Sequence, residues 1–299
     1  MKLRPNRRQI PATRTGFTLV ELLVVIGIIA MLMSILLPTL RRVRMSAQQI
    51  RSSAEMRELM SAYTRYHIDH SGALLMAYPP DALRGQPVTV DDPISGKTYA
   101  PYIGTRWPWR LKPWCPELWG IIHSHHDMPA LPAPDDEQLV AEDKAAMLSV
   151  DVSYGINSAY VGGHRGSTYR GYTGTMFDGW PDFDRHSVYR ANEVRRPSML
   201  IVFAESQAFG TMSGMHNRGL HFVTPPLANG RRWRAEGGAV VRMDFTSMSI
   251  GLPIGRHGRT TLVACFDGHV EAMRAAELED MRRWSHAARA ADHDPIASP

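Results

Sequence analysis

The sequence predicts an α+β protein in which one long amino-terminal helix packs its distal half on an antiparallel sheet, with an irregular insertion at 79–134. Three observations predict it. Phe17 to Leu40 is an almost unbroken apolar run; apolar residues then recur every three or four positions; and the distal chain holds short β-type runs punctuated by Gly, Pro and an Asp-Gly turn. With 299 residues, 44% hydrophobic and 21% charged, the chain is long and apolar enough to fold, and wholesale disorder is excluded.

The first element, residues 1–16, is a basic leader holding Lys2, Arg4, Arg7, Arg8 and Arg14 and no acid. The formal net charge is +5, and without these five residues the remaining 29 Lys+Arg equal the 29 Asp+Glu. The basic character therefore belongs to the leader, and no nucleic-acid partner is expected. The second element, residues 17–40, carries one charge, Glu21, and is long enough to cross a hydrocarbon core of about 30 Å. It is longer than the apolar stretch of a cleaved secretory signal and runs directly into Arg41, Arg42 and Arg44. A carboxylate inside an apolar helix costs about 2.5–3.5 kcal/mol, so Glu21 calls for a counter-charge or access to the interface. A cut between Gly16 and Phe17 would place a free amino group one helical turn from it.

These residues carry a resemblance. Gly16-Phe17-Thr18-Leu19-Val20-Glu21 and the apolar run after it, with the basic leader before it and Pro38 within it, resembles the signal of type IV pilins and type II secretion pseudopilins. The resemblance implies cleavage after Gly16 by a prepilin peptidase, methylation of Phe17, and a role for Glu21 in guiding the subunit into a fibre. The one departure is Thr15, where a basic residue is common. It further implies a single-pass protein of the cytoplasmic membrane with an exported carboxy-terminal domain, reaching a fibre or the cell surface after assembly. The implied partners are the peptidase, other pilin-like subunits and membrane lipid.

The third element, residues 41–70, is an amphipathic continuation of the helix: Leu40, Val43, Ala47, Ile50 and Ala54 recur at helical spacing, followed by Leu59, Met60, Tyr63 and Tyr66. Pro38 bends such a helix without ending it, and no glycine intervenes between Gly27 and Gly72. The remainder, 71–299, reads as the globular domain. Eleven of the 21 prolines fall between Pro79 and Pro134 with Trp107, Trp109, Trp114 and Trp119, which excludes long helices there; the tryptophans read as a satellite core beneath a long loop, with a binding surface as the alternative. Leu139, Val140 and Met147 mark a short helix within 135–150. A buried strand follows at 199–204, and Thr260–Phe266, Asp267-Gly268 and His269–Met273 form a hairpin.

His257, nine residues, then Asp267-Gly268 is similar to the His-x9-Asp-Gly carboxy-terminal motif of a group of pilin-like proteins. Tyr154-Gly155-Ile156-Asn157 and Arg196-Pro197-Ser198 resemble the body of the same group, although Ser53 stands where many members carry cysteine. His257, Asp267 and Gly268 are accordingly expected to form a structural turn motif, with Asp267 bonding its own backbone and His257 pinning the preceding loop. A convergence of His257, Asp267 and His269 is the competing arrangement.

His123, His125, His126 and Asp127 are the densest set of metal-ligand side chains, but with no partner strand in view they read as a solvated loop. No nucleophile elbow, phosphate-binding loop or HExxH motif occurs. The expectation is therefore a structural subunit and not an enzyme, with no catalytic residue, cofactor or metal; the alternative is a signal-anchored exported protein with a binding or hydrolytic domain. Cys115 and Cys265 are too few for a disulfide framework and leave one bridge open.

Processing is directly testable. Intact-mass measurement after co-expression with a prepilin peptidase is expected to show loss of Met1 to Gly16, with a methyl group added where methylation occurs. A chain that keeps these residues beside an active peptidase contradicts the reading.

Overall fold

The computed structural model describes residues 18–76, 90–91, 97–99, 101–104, 106–125, 133, 135–163, 186–209, 219–228, 231–236, 239–243, 250–257 and 259–293. Gly16, Phe17, His126, Asp127 and most of the loop through Tyr172 lie outside them. Two compact units are formed, residues 1–47 and 48–299.

Helix α1 spans Leu19–Asp69 with Pro38 inside it. Its end is set by backbone geometry: Gly72 has φ +83° and donates its N–H to the His67 carbonyl at 2.6 Å, closing the last turn. Side chains along the first part are exposed, including Leu22, Ile26, Ile29, Leu36, Val43 and Ile50. In the second unit the helix buries Ser52, Glu55, Met56, Leu59, Met60, Ala62, Tyr63 and Tyr66. This corrects the expected amphipathic seam at Leu40, Val43, Ala47, Ile50 and Ala54, which is exposed. The bulk needed to fill the domain core comes from Met56, Leu59 and Tyr63, and that face carries Ser52 and Glu55 inward with it.

After α1 come strands β1 (Val90–Asp91) and β2 (Thr98–Tyr99), an antiparallel pair. Helices α2 (Pro101–Gly104), α3 (Trp107–Leu111) and α4 (Leu118–Ile122) are single turns. Prolines permit this: Pro108 sits in the first turn of α3, where its missing N–H costs nothing. Trp107, Trp109 and Trp119 are buried and belong to the main core, not to a separate cluster. The Trp107 indole donates to the His221 carbonyl at 2.5 Å, and that of Trp109 to Ala145 at 3.2 Å. Helix α5 (Gln138–Val150) buries Ala141, Ala145 and Leu148, whereas Leu139, Val140 and Met147, which announced it, are exposed.

The main sheet contains β3 (Tyr154–Asn157), β4 (Ile201–Phe209), β5 (Phe222–Val223), β9 (Ile250–Pro253), β10 (Thr261–Cys265) and β11 (Val270–Met273). Strands β6 (Leu227–Ala228), β7 (Arg231–Glu236) and β8 (Ala239–Met243) form a separate antiparallel sheet, and a short helix α6 (Ala275–Leu278) follows β11. In the main sheet the order is β11, β10, β4, β3, β5, with β9 also on β4. The sheet is mixed and open, correcting the expected antiparallel one, because β3 and β5 run parallel. Gly155 allows that pairing: a Cβ there would lie 2.6 Å from the Phe222 carbonyl carbon.

Register along β4 creates the feature that matters most. Ile201–Ala204 pair with β10, and Ser206–Phe209 pair with β9. Glu205 is the residue between the two.

The helix is held to the sheet by aromatic contacts. Tyr63 meets Phe203 of β4 edge-on at 5.7 Å and Phe266 at 6.4 Å, while Trp107 meets Phe203 at 5.1 Å. The Tyr63 hydroxyl is buried with no hydrogen bond, so it contributes ring burial and not polarity. Tyr63→Ala is expected to destabilise the domain by about 3–5 kcal/mol, whereas Tyr63→Phe is neutral or stabilising. Denaturant unfolding of the detergent-solubilised chain checks this; equal behaviour of the two variants contradicts it.

Candidate functional site

The amino-terminal site begins at the start of α1. Thr18 precedes the first helical residue, and its N–H and hydroxyl donate to Glu21 Oε2 at 2.9 and 2.7 Å, while the Glu21 N–H donates back to Thr18 Oγ1 at 3.2 Å. This is a capping box, which satisfies donors that a helix start leaves open. It supplies a local reason for an acid at position 21 that counter-charge reasoning alone missed. The signal was legible: Thr18-x-x-Glu21 directly before an apolar run.

The second site lies in the 48–299 unit. Glu205 has no solvent exposure, and Oε1 lies 2.9 Å from His257 Nε2 and 3.7 Å from His125 Nε2. All three atoms lie within 4.8 Å of one another, a constellation that can hold a metal ion. Each residue arrives from a different part of the fold. His125 follows α4, Glu205 lies where the pairing of β4 passes from β10 to β9, and His257 follows β9. Glu205 Oε2 accepts the Leu262 N–H of β10 at 2.9 Å, so one carboxylate oxygen takes the place of a strand partner and the other faces the imidazoles.

Around this trio the helix contributes polar groups. Ser52 Oγ lies 2.9 Å from His125 Nε2, and Tyr154 Oη lies 3.4 Å from it. Tyr154 donates to Glu55 Oε2 at 2.8 Å, and Glu55 pairs with Arg51 at 2.8 Å. Burial, helped by the charges of Glu55 and Glu205, raises the Tyr154 pKa well above the usual phenol range, so the hydroxyl keeps its proton. Arg256 is the neighbouring cation. Burial lowers its pKa while Glu205 and Tyr154 act in the opposite direction, and its guanidinium donates to the Ser206 carbonyl at 2.8 Å.

Two sequence expectations are corrected here. His125 is not part of a solvated loop: it is drawn against Glu205 and Tyr154, and His123 is buried with Nε2 3.1 Å from the Leu148 carbonyl. The expectation of no enzymatic chemistry is likewise overturned. His125–Glu205–His257, and a second group formed by Cys265, His269 and Glu271, are geometrically compatible with metal-binding or catalytic centres. Glu205 was missed altogether, although an acid inside the apolar run Ile201 to Phe209 was its signal.

The structure separates His257 from Asp267 and His269. Asp267 and Gly268 form the β10–β11 turn: Gly268 has φ +92° and donates to the Cys265 carbonyl at 2.9 Å. Asp267 Oδ1 accepts the His269 N–H at 3.2 Å and lies 2.5 Å from His269 Nδ1. The His257 backbone closes its own loop, its carbonyl accepting the Thr260 hydroxyl at 2.7 Å, while its side chain goes to Glu205.

In the second group Glu271 Oε1 is already engaged by Arg283 at 2.8 Å, with His269 Nε2 at 3.3 Å and the Cys265 thiol at 3.7 Å. Burial first, then Glu271, pushes the Cys265 thiol up to about 12. Cys115 and Cys265 are both free and buried.

Residues 12–37 match the family model of the prokaryotic N-terminal methylation motif. Neither the curated proteins nor the solved structures contain a match to the chain. The motif leads into the one helix among the described residues that is long and apolar enough to cross a membrane. The class defined is a protein with a prepilin-like methylation signal, an apolar anchor helix and a separate mixed-sheet domain.

Proposed function

We propose that the protein is a pilin-like subunit of a pilus or type II secretion pseudopilus fibre, processed after Gly16 and methylated on Phe17. The supporting observation is the methylation motif at residues 12–37 running into a helix whose apolar side chains, from Leu19 to Ile50, are exposed. A continuous apolar surface of this kind needs lipid or the equivalent helices of other subunits to cover it. In this reading the subunit resides in the cytoplasmic membrane as a single-pass protein with its sheet domain exported. It meets the prepilin peptidase there, then exchanges lipid for neighbouring subunits.

Cleavage frees the Phe17 amine beside Glu21, and the carboxylate serves as the charge that a neighbouring amine meets during fibre entry. The His125–Glu205–His257 group favours a second reading, a signal-anchored protein whose exported domain binds or hydrolyses a ligand.

The ratio of subunit in sheared fibres to subunit in membranes tests the first reading. Glu21→Ala and Glu21→Gln are both expected to lower it several-fold, because Gln retains the capping box and lacks the charge. A wild-type ratio for Glu21→Gln reduces position 21 to helix capping. No wild-type subunit in fibres of a strain that assembles them favours the anchored protein.

A further inference from the structure

We propose that His125, Glu205 and His257 hold a divalent cation of the zinc class, which fastens the Trp-rich segment and the loop after β9 to the central strand. This assignment rests on neither reading of the amino-terminal segment. It specifies the ligand that the second reading leaves open.

The donor set is the first support. Two imidazole nitrogens and one carboxylate oxygen suit a first-row divalent metal; calcium and magnesium prefer all-oxygen shells, and copper(I) prefers sulfur. Metal–ligand bonds of about 2.0–2.1 Å in a tetrahedron place ligand atoms about 3.3 Å apart. Two edges of the trio, 2.9 and 3.7 Å, straddle that value.

The second support is independent of spacing. Glu205 Oε1 and His257 Nε2 are only 2.9 Å apart, yet their approach lacks hydrogen-bond geometry, and both are buried polar atoms with no hydrogen bond. The Glu205 side chain is 0% exposed and that of His257 4%. An ordinary buried His–Glu pair would align its proton between the two atoms, because leaving both unsatisfied costs free energy. Lone pairs converging on a common point without a shared proton are the arrangement a cation satisfies.

The surroundings match the needs of such a site. Leu262 N–H fixes the other Glu205 oxygen, which sets the carboxylate for one-oxygen coordination. The Tyr154 hydroxyl donates to Glu55 Oε2 at 2.8 Å, so it stands beside the trio as a hydrogen-bonding neighbour. Ser52 Oγ and Tyr154 Oη, at 2.9 and 3.4 Å from His125 Nε2, add polar groups to this side of the trio. Arg256, held by Ser206, leaves Glu205 Oε1 to the imidazoles.

The full-length chain in mild detergent, stripped with EDTA, reloaded with zinc sulfate and desalted, is assayed for zinc by mass spectrometry. One zinc per chain is expected in the wild type, falling at least tenfold in His257→Ala and Glu205→Gln and unchanged in His269→Ala. Zinc is expected to raise the melting temperature of the wild type but not of His257→Ala. Because Glu205→Gln disturbs the core, His125→Ala, at the more exposed ligand, provides the second variant: it must lose zinc while retaining the near-ultraviolet dichroism of the wild type. Sub-stoichiometric zinc in the wild type, retention undiminished in His125→Ala and His257→Ala, or loss in His269→Ala overturns the assignment.

Discussion

A carboxyl group without solvent exposure, Glu205, sits in the longest strand of the main sheet, and residues from distant parts of the chain converge on it. Burying such a group costs several kcal/mol unless bonds and charges replace the lost water. Several neighbouring elements bring polar groups to it. β10 gives the Leu262 N–H, the loop after β9 gives His257, the segment after α4 gives His125, and Arg256 contributes a nearby cation. The strand switch at Glu205 makes room for this, since the residue lies between the β10 and β9 registers. A sheet built for stability alone would carry an apolar residue there, as at Phe203 and Ala204 beside it.

Helix α1 connects that polar interior to a different constraint. Its residues in the second unit bury Met56, Leu59 and Tyr63 and bring Ser52 and Glu55 to the histidine cluster. Its earlier residues expose an apolar surface that water does not favour. One helix thus meets two environments, and the change comes near Gln48, where the compact domain begins. Ser52 and Glu55 belong to the first turns inside the domain.

Features with local causes were legible in the sequence. The Asp267-Gly268 hairpin, the strand at Ile201, the helix ending near Gly72 and the short elements among the prolines all follow from turn chemistry, β-branched runs or missing N–H groups. Features that depend on tertiary packing were not. The buried face of α1 is rotated away from Leu40, Val43 and Ile50, and α5 buries its alanines while exposing Leu139, because fit against the neighbouring elements outweighs residue hydrophobicity. The parallel pairing of β3 with β5 joins residues too far apart for local pattern to reveal. The cluster was half legible: His125 and His257 were each noticed, but Glu205 unites them, and nothing in sequence spacing connects three such distant positions.

Zinc K-edge absorption spectroscopy of the reloaded full-length chain tests the central claim most directly, because it reports which atoms surround the metal. The account predicts a first shell of nitrogen and oxygen alone at about 2.0–2.1 Å, with the outer-shell signature of two imidazoles. A sulfur shell at about 2.3 Å would instead place the metal at a cysteine, and an all-oxygen shell without imidazole would show surface binding. Either result contradicts a metal centre built on Glu205.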